Sequence, residues 1–160
     1  MDNIMALKEK IENDLKAAMK SKDMASTNAL RMIIAAIHNR EIEERGQGKL
    51  KPGGILDDAG VMKILSTLAK QRQESIDMFK QGKRDDLVKK ESAELALIQR
   101  YLPSQLSEGE IETIVEEAIL EIGAAGPKDM GNVMKLVMPK LAGQADGKIV
   151  NEIVRRKLTA

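Results

Sequence analysis

The sequence predicts an all-α protein in which four helices are followed by three. Three observations carry this. Apolar residues recur at three- and four-residue intervals along nearly the whole chain, which is the pattern of helices with one buried face. No alternation of apolar and polar residues of strand length interrupts them. With one Phe, one Tyr and no Trp among 160 residues, the interior must be filled by ten Met and by Ile, Leu and Ala, side chains that suit helices.

Each element has its own start and stop. Residues 3–21 place Ile4, Leu7, Ile11, Leu15, Ala18 and Met19 on one stripe and Lys8, Glu9, Lys10 and Glu12 off it, an amphipathic helix. Asp23 then caps a second helix to about Arg45, which buries Leu30, Ile33, Ile34 and Ile37 and stops at Gly46. Residues 46–54, GQGKLKPGG, form a loop expected to be mobile. It lacks the spacing of a phosphate-binding loop and the Lys-Ser/Thr pair that closes one. Asp57 or Asp58 opens a third helix along Val61, Ile64, Leu65, Leu68, Ile76 and Phe79, ending near Gly82. Arg84-Asp85-Asp86 is the turn and acidic cap of a fourth, which runs on Leu87, Val88, Leu95, Ile98 and Leu102.

Pro103 ends the fourth helix, because the residue before a proline is pushed out of helical geometry. The linker YLPSQL is therefore the expected boundary between an N-terminal domain, 1–102, and a C-terminal domain, 103–160. Ser107-Glu108-Gly109-Glu110 reads as a capping box for a fifth helix on Ile111, Ile114, Val115, Ala118, Ile119 and Ile122. After the turn GAAGPKD, a sixth helix follows Met130, Val133, Met134, Val137, Met138 and Leu141. The methionine stripe 130/134/138 is read as core. Gly143 sits where a positive φ is wanted, and Asp146 caps a seventh helix on Ile149, Val150, Ile153, Val154 and Leu158.

Composition excludes several classes of function. The chain is 42% hydrophobic and 32% charged with a formal net charge of +1, as a folded globular protein is. Without cysteine there is no disulfide, no thiolate zinc site and no thiol nucleophile. The single histidine, His38, has no cysteine or carboxylate set with which to build a metal site or a triad. No metal, no cofactor and no catalytic residue is expected. The carboxylate pairs Asp57-Asp58 and Asp85-Asp86 fall at helix starts, where acidic residues are structural. An N-terminus without a signal-like apolar run, and no apolar stretch of membrane-spanning length, set the expectation of a cytoplasmic protein without a membrane partner.

Charge is unevenly spread. Between Tyr101 and Pro127 stand six glutamates (108, 110, 112, 116, 117, 121) and no Lys or Arg, whereas from Lys128 onward seven basic residues face three acidic ones. A net of about +4 on a short tail biases it towards anionic partners. Its cations also stand where an acidic fifth helix could simply complement them. Two further polar features stand out. Arg72, Ser75 and Phe79 share a helix side, with Glu91 and Glu94 on the next, antiparallel helix as natural partners of Arg72. This is either an ion-pair clasp or a recognition face, with the clasp preferred. Arg31, His38 and Arg45 recur every seven residues on the second helix, as the residues of a solvated face also would.

Three blocks of the chain together resemble the YqeY-like family: KQRQESIDMFKQGKRDDLVKKESAEL, with Arg72, Phe79, Arg84, Asp86 and Glu91; then YLPSQLSEGEI; then GNVMKLVMPKLAGQADGKIVNEIVRRKL. The last block, with Gly131, Met134, Gly143, Asp146, Gly147, Lys148 and Asn151, is similar to the tail of GatB, the B subunit of the tRNA-dependent amidotransferase. The resemblance implies an N-terminal helical domain and a three-helix tail of the kind that contacts tRNA in that subunit. It also implies a carbon–nitrogen ligase activity with glutamine as amido donor, yet the nucleotide site that carboxylate activation needs has no counterpart here. Gly131 and Gly143 would then allow close helix approach and the turn, and Asp146 would cap.

The expected function is thus a non-catalytic, tRNA-associated module working alone or beside a tRNA-modifying or aminoacylation complex. Its candidate phosphate contacts are Lys135, Lys140, Lys148, Arg155, Arg156 and Lys157. A protein–protein adaptor, or an accessory of a carbon–nitrogen ligase complex, is the alternative.

Overall fold

The computed structural model describes residues 5–160. Seven α-helices account for its regular structure: α1 (Leu7–Lys20), α2 (Met24–Gly46), α3 (Asp58–Gln81), α4 (Asp85–Gln99), α5 (Glu108–Ile122), α6 (Met130–Lys140) and α7 (Gly147–Thr159). A single 3₁₀ turn, Pro127–Asp129, precedes α6, and the described residues contain no strand. The protein is all-α. Its contacts sort into two compact units, one ending at Leu102 and the other running from Pro103 to Ala160.

In the first unit α1 pairs with α2 and α3 with α4, each pair joined by a tight turn. Those turns hold the two non-glycine residues with positive φ, Lys22 at +57° and Lys83 at +54°. The core gathers Ile11, Leu30, Ile33, Ile37, Val61, Leu65 and Ile98. Asp23 and Asp57 cap α2 and α3 by accepting from the Ser26 and Gly60 amides. Ser26, above all, holds the Asp23 carboxyl below its ordinary range.

Several sequence expectations give way here. The first helix starts at Leu7 rather than residue 3; Ile4 lies outside the described residues, and Met19 is half exposed. No acidic side chain caps α4: Arg84 is its N-cap residue, and Asp86 lies in the first turn, where it accepts from the Arg84 guanidinium at 3.2 and 3.1 Å. The loop after α2 is anchored rather than loose. Leu56 is buried, Leu50 packs against the core, and the Leu56 amide donates to the Glu41 carboxylate at 3.0 Å.

The second unit packs α5, α6 and α7 around Ile111, Val115, Ala118, Val133, Val137, Leu141, Val150, Ile153, Val154 and Leu158. Ser107 and Glu110 form a reciprocal capping box, whose hydrogen bonds lower the Glu110 carboxyl. Here too some positions differ. Ile122 and Ile149 are exposed at the helix ends, and the methionine stripe is not core throughout. Met130 and Met134 are half-buried at its edge and Met138 is exposed; Val133 and Val137, one position before Met134 and Met138, take the inward direction.

Candidate nucleic-acid interface

The tail's charged side chains are positioned by the α6–α7 turn. Gly143 adopts φ +74°, a left-handed conformation that costs a residue with a Cβ. The turn is braced by the linker before α5. The Leu106 amide donates to the Gln144 carbonyl at 2.8 Å and Gln105 Nε2 to the Gly143 carbonyl at 2.8 Å. Gln144 Nε2 in turn donates to the Ser104 carbonyl at 3.4 Å. This brace has no helical periodicity, so nothing in the sequence announced it. Asp146 then caps α7 by accepting from the Lys148 amide at 2.9 Å.

The cations sort into two sets. On one flank of α7, Arg156 pairs with Glu112, and Lys157 bridges Glu112 at 3.3 Å and Glu116 at 2.6 Å. Those two carboxylates, Glu116 first, hold the Lys157 ammonium above its ordinary value. Lys140 at the end of α6 meets Glu121 of α5 at 3.3 Å. The acidic helix therefore neutralises half of the candidate phosphate contacts.

The other half is differently placed. Lys148 and Arg155 are seven residues apart, on one stripe of α7 away from α5's carboxylates, with Asn151 between them. Asn151 Oδ1 accepts from Arg155 at 3.4 Å, which props the guanidinium along the stripe. Lys135 is exposed on the outward side of α6. Lys135, Lys148 and Arg155 enter no ion pair among the described residues.

Gly131 does not do the work expected of it. A side chain at Gly131 would meet open space, so this residue is not a point of close helix approach. At Gly147 a Cβ would lie 3.6 Å from the Met138 methyl group, an ordinary contact. Met134 is half-buried against the core of the unit.

The motif residues of the first unit form a separate group on the α3–α4 hairpin. Arg72 lies 2.9 Å from Glu94 and 3.5 Å from Glu91, each side chain less than one-fifth exposed. Nε of Arg72 is close to Glu94 without the alignment of a hydrogen bond. Phe79 is half-buried and Arg84 and Asp86 are exposed.

Among the described residues no group of three or more His, Asp or Glu is placed to hold a metal ion, and no helix is long and apolar enough to cross a membrane. A shallow pocket of ≈ 200 Å³ in the first unit is lined in part by Asp14, Asp23, Arg100 and Tyr101. Its carboxylates are already engaged: Asp14 accepts the Tyr101 hydroxyl at 2.5 Å, and Asp23 caps α2. Burial and Asp14 push the Tyr101 hydroxyl upward in pKa, so it stays protonated and is no base.

Comparison with known proteins supplies the family. A relative from Pyrenophora tritici-repentis, named altered inheritance of mitochondria protein 41, mitochondrial, is 34% identical over 152 residues, which is 93% of this chain and 77% of that protein. Proteins of the same name from Eremothecium gossypii and Lachancea thermotolerans are 44% and 33% identical over 92 and 130 residues. Those matches take in 58% and 79% of this chain and 46% and 63% of the relatives, so the chain spans only about half to two-thirds of their length. The names overturn the expectation of a cytoplasmic protein. That expectation rested on an N-terminus without a signal-like apolar run and on the lack of membrane-spanning apolar stretches, which bear on secretion and membrane helices and name no compartment. The family profile described as Yqey-like protein matches residues 8–158, and the chain belongs to the YqeY-like family.

Proposed function

We propose that this chain is a non-catalytic, tRNA-associated binding module that meets phosphate through the Lys148–Arg155 stripe of α7 and through Lys135. The observation that supports this reading is the sorting of the tail's cations. A cation already paired with a carboxylate gives up that partner to bind phosphate, whereas an exposed unpaired one releases only counterions. The paired Lys140, Arg156 and Lys157 then belong to folding and not to recognition. A carbon–nitrogen ligase activity with glutamine as amido donor, if this chain serves one, resides in a complex to which it is an accessory.

The test is binding of deacylated and Glu-charged tRNA between about 50 and about 200 mM salt. Lys148→Glu/Arg155→Glu is expected to abolish salt-sensitive binding and to lower the salt slope of any remainder by about 2. Arg156→Gln/Lys157→Gln, with folding checked by circular dichroism, is expected to leave affinity within about threefold of wild type. Equal losses for the two pairs, or no binding at low salt, would overturn the proposal.

A further inference from the structure

Helix α2 carries apolar residues on both sides. Its inward side supplies Leu30, Ile33 and Ile37 to the core. The opposite side presents Met24, Arg31, Ala35, His38, Ile42 and Arg45, which after the first interval of seven are separated by four, three, four and three residues. That is the spacing of a seam into which another helix fits its side chains. Met24 is 64% and Ile42 61% exposed, and Met32 beside them 43%. Scattered surface apolar residues need no explanation. Met24, Ala35 and Ile42 in one register with Arg31 and His38, along about five turns of the helix, do.

Charge selects the occupant. From Met24 to Arg40 the helix holds no carboxylate, and its first, Glu41, is buried. Arg31 enters no ion pair among the described residues. Arg45 at the far end is only 3.9 Å from the buried Glu41 carboxylate, and its Nε donates to the Glu41 carbonyl. We infer that this face of α2 docks an amphipathic helix of a partner protein that carries carboxylates beside its apolar seam.

Two other occupants fit less well. In an antiparallel pairing of two copies about Ala35, Arg31 would lie opposite Asn39 and beside His38 of its symmetry mate, and neither guanidinium of the seam would meet a carboxylate. Phosphate would satisfy Arg31 while leaving Met24 and Ile42 in water, and no aromatic residue on this face could stack on a base.

The test uses two synthetic 21-residue amphipathic peptides with leucine at the seam, one with glutamate and the other with lysine at the flanking positions. Each is titrated into the isotope-labelled full chain. The glutamate peptide is expected to shift amide signals of α2 around Met24, Arg31, Ala35 and Ile42, and the lysine peptide is expected not to. Arg31→Glu/Ile42→Glu, both at exposed positions, is expected to weaken binding at least about tenfold with the fold unchanged, the loss that follows removal of a central anchor. Equal binding of the two peptides, or no effect of the double variant, would overturn the inference. So would concentration-dependent dimerisation lost in Ile42→Glu, which would assign the face to a second copy, or the same shifts with tRNA in place of peptide. None of these outcomes depends on the tail, so failure here and failure of tRNA binding at α7 remain distinct.

Discussion

Glu41 is 2% exposed, and Lys8, the Leu56 amide and, at 3.9 Å, Arg45 converge on it. Lys8 of α1 reaches both carboxylate oxygens at 2.8 and 2.9 Å, and the Leu56 amide reaches one at 3.0 Å. One side chain thus ties α1, α2 and the segment entering α3. Burial alone raises its pKa. The hydrogen bonds from Lys8 and Leu56 and the Lys8 charge outweigh burial, so the carboxyl sits below its ordinary 4.5. A group held below its unfolded value contributes stability that is present above that value and lost as pH falls. Wild-type stability should therefore decline below about pH 4.5, and Glu41→Gln should lose that part of the decline. Glu41→Ala should cost about 3–5 kcal/mol in chemical denaturation at neutral pH, since it strands a nearly buried ammonium and an amide. A cost below about 1 kcal/mol would show the site to be more hydrated than its exposure implies.

At the scale of elements, the two hairpins of the first unit turn on the same device. The α1–α2 and α3–α4 turns each spend a lysine in the left-handed region, Lys22 and Lys83, where an L side chain is disfavoured by roughly 1–2 kcal/mol. Glycine removes that strain but loosens the unfolded chain. Lys22→Gly and Lys83→Gly should each raise stability by about 0.5–1 kcal/mol, read as a shift of the denaturation midpoint. A loss in either would mean that its lysine makes a contact that outweighs the strain. The α3–α4 hairpin has in addition the Arg72 clasp to Glu91 and Glu94. Its residues belong to the family-like motif, and their arrangement fits the structural reading: Arg72 faces carboxylates of its own hairpin, leaving little of the guanidinium for a ligand.

For the whole molecule, the two cores share no residue, and each unit has its own set of buried aliphatic side chains. Leu141→Ala, at a position 1% exposed, should destabilise the second unit by about 2–5 kcal/mol. Hydrogen exchange should then show lost protection in α5, α6 and α7 with α1–α4 unchanged. Equal loss throughout would mean that the chain unfolds as one cooperative body. The charge pattern also belongs to this scale. A net charge of +1 conceals an acidic α5 set against a basic tail, and their ion pairs consume half the candidate contacts before any partner arrives.

Periodicity and caps are local, so the all-α class, the order of helices and the caps at Asp23, Ser107 and Asp146 could be read from the residues alone. The Arg72 clasp was legible for the same reason, since helical spacing put the three residues on facing sides of a hairpin. Glu41 was not. In the run Glu41-Ile42-Glu43-Glu44-Arg45 it looks like any solvated charge, and its burial depends on where Lys8 and Leu56 arrive. The same holds for the tail. Sequence offered six equivalent cations, and only the packing of α5 against α6 and α7 separated Lys135, Lys148 and Arg155 from Lys140, Arg156 and Lys157. Helix formation depends on residues three and four apart, which sequence lists directly. Whether a charge is spent or free depends on a partner on another helix, and only the tertiary structure brings that partner near.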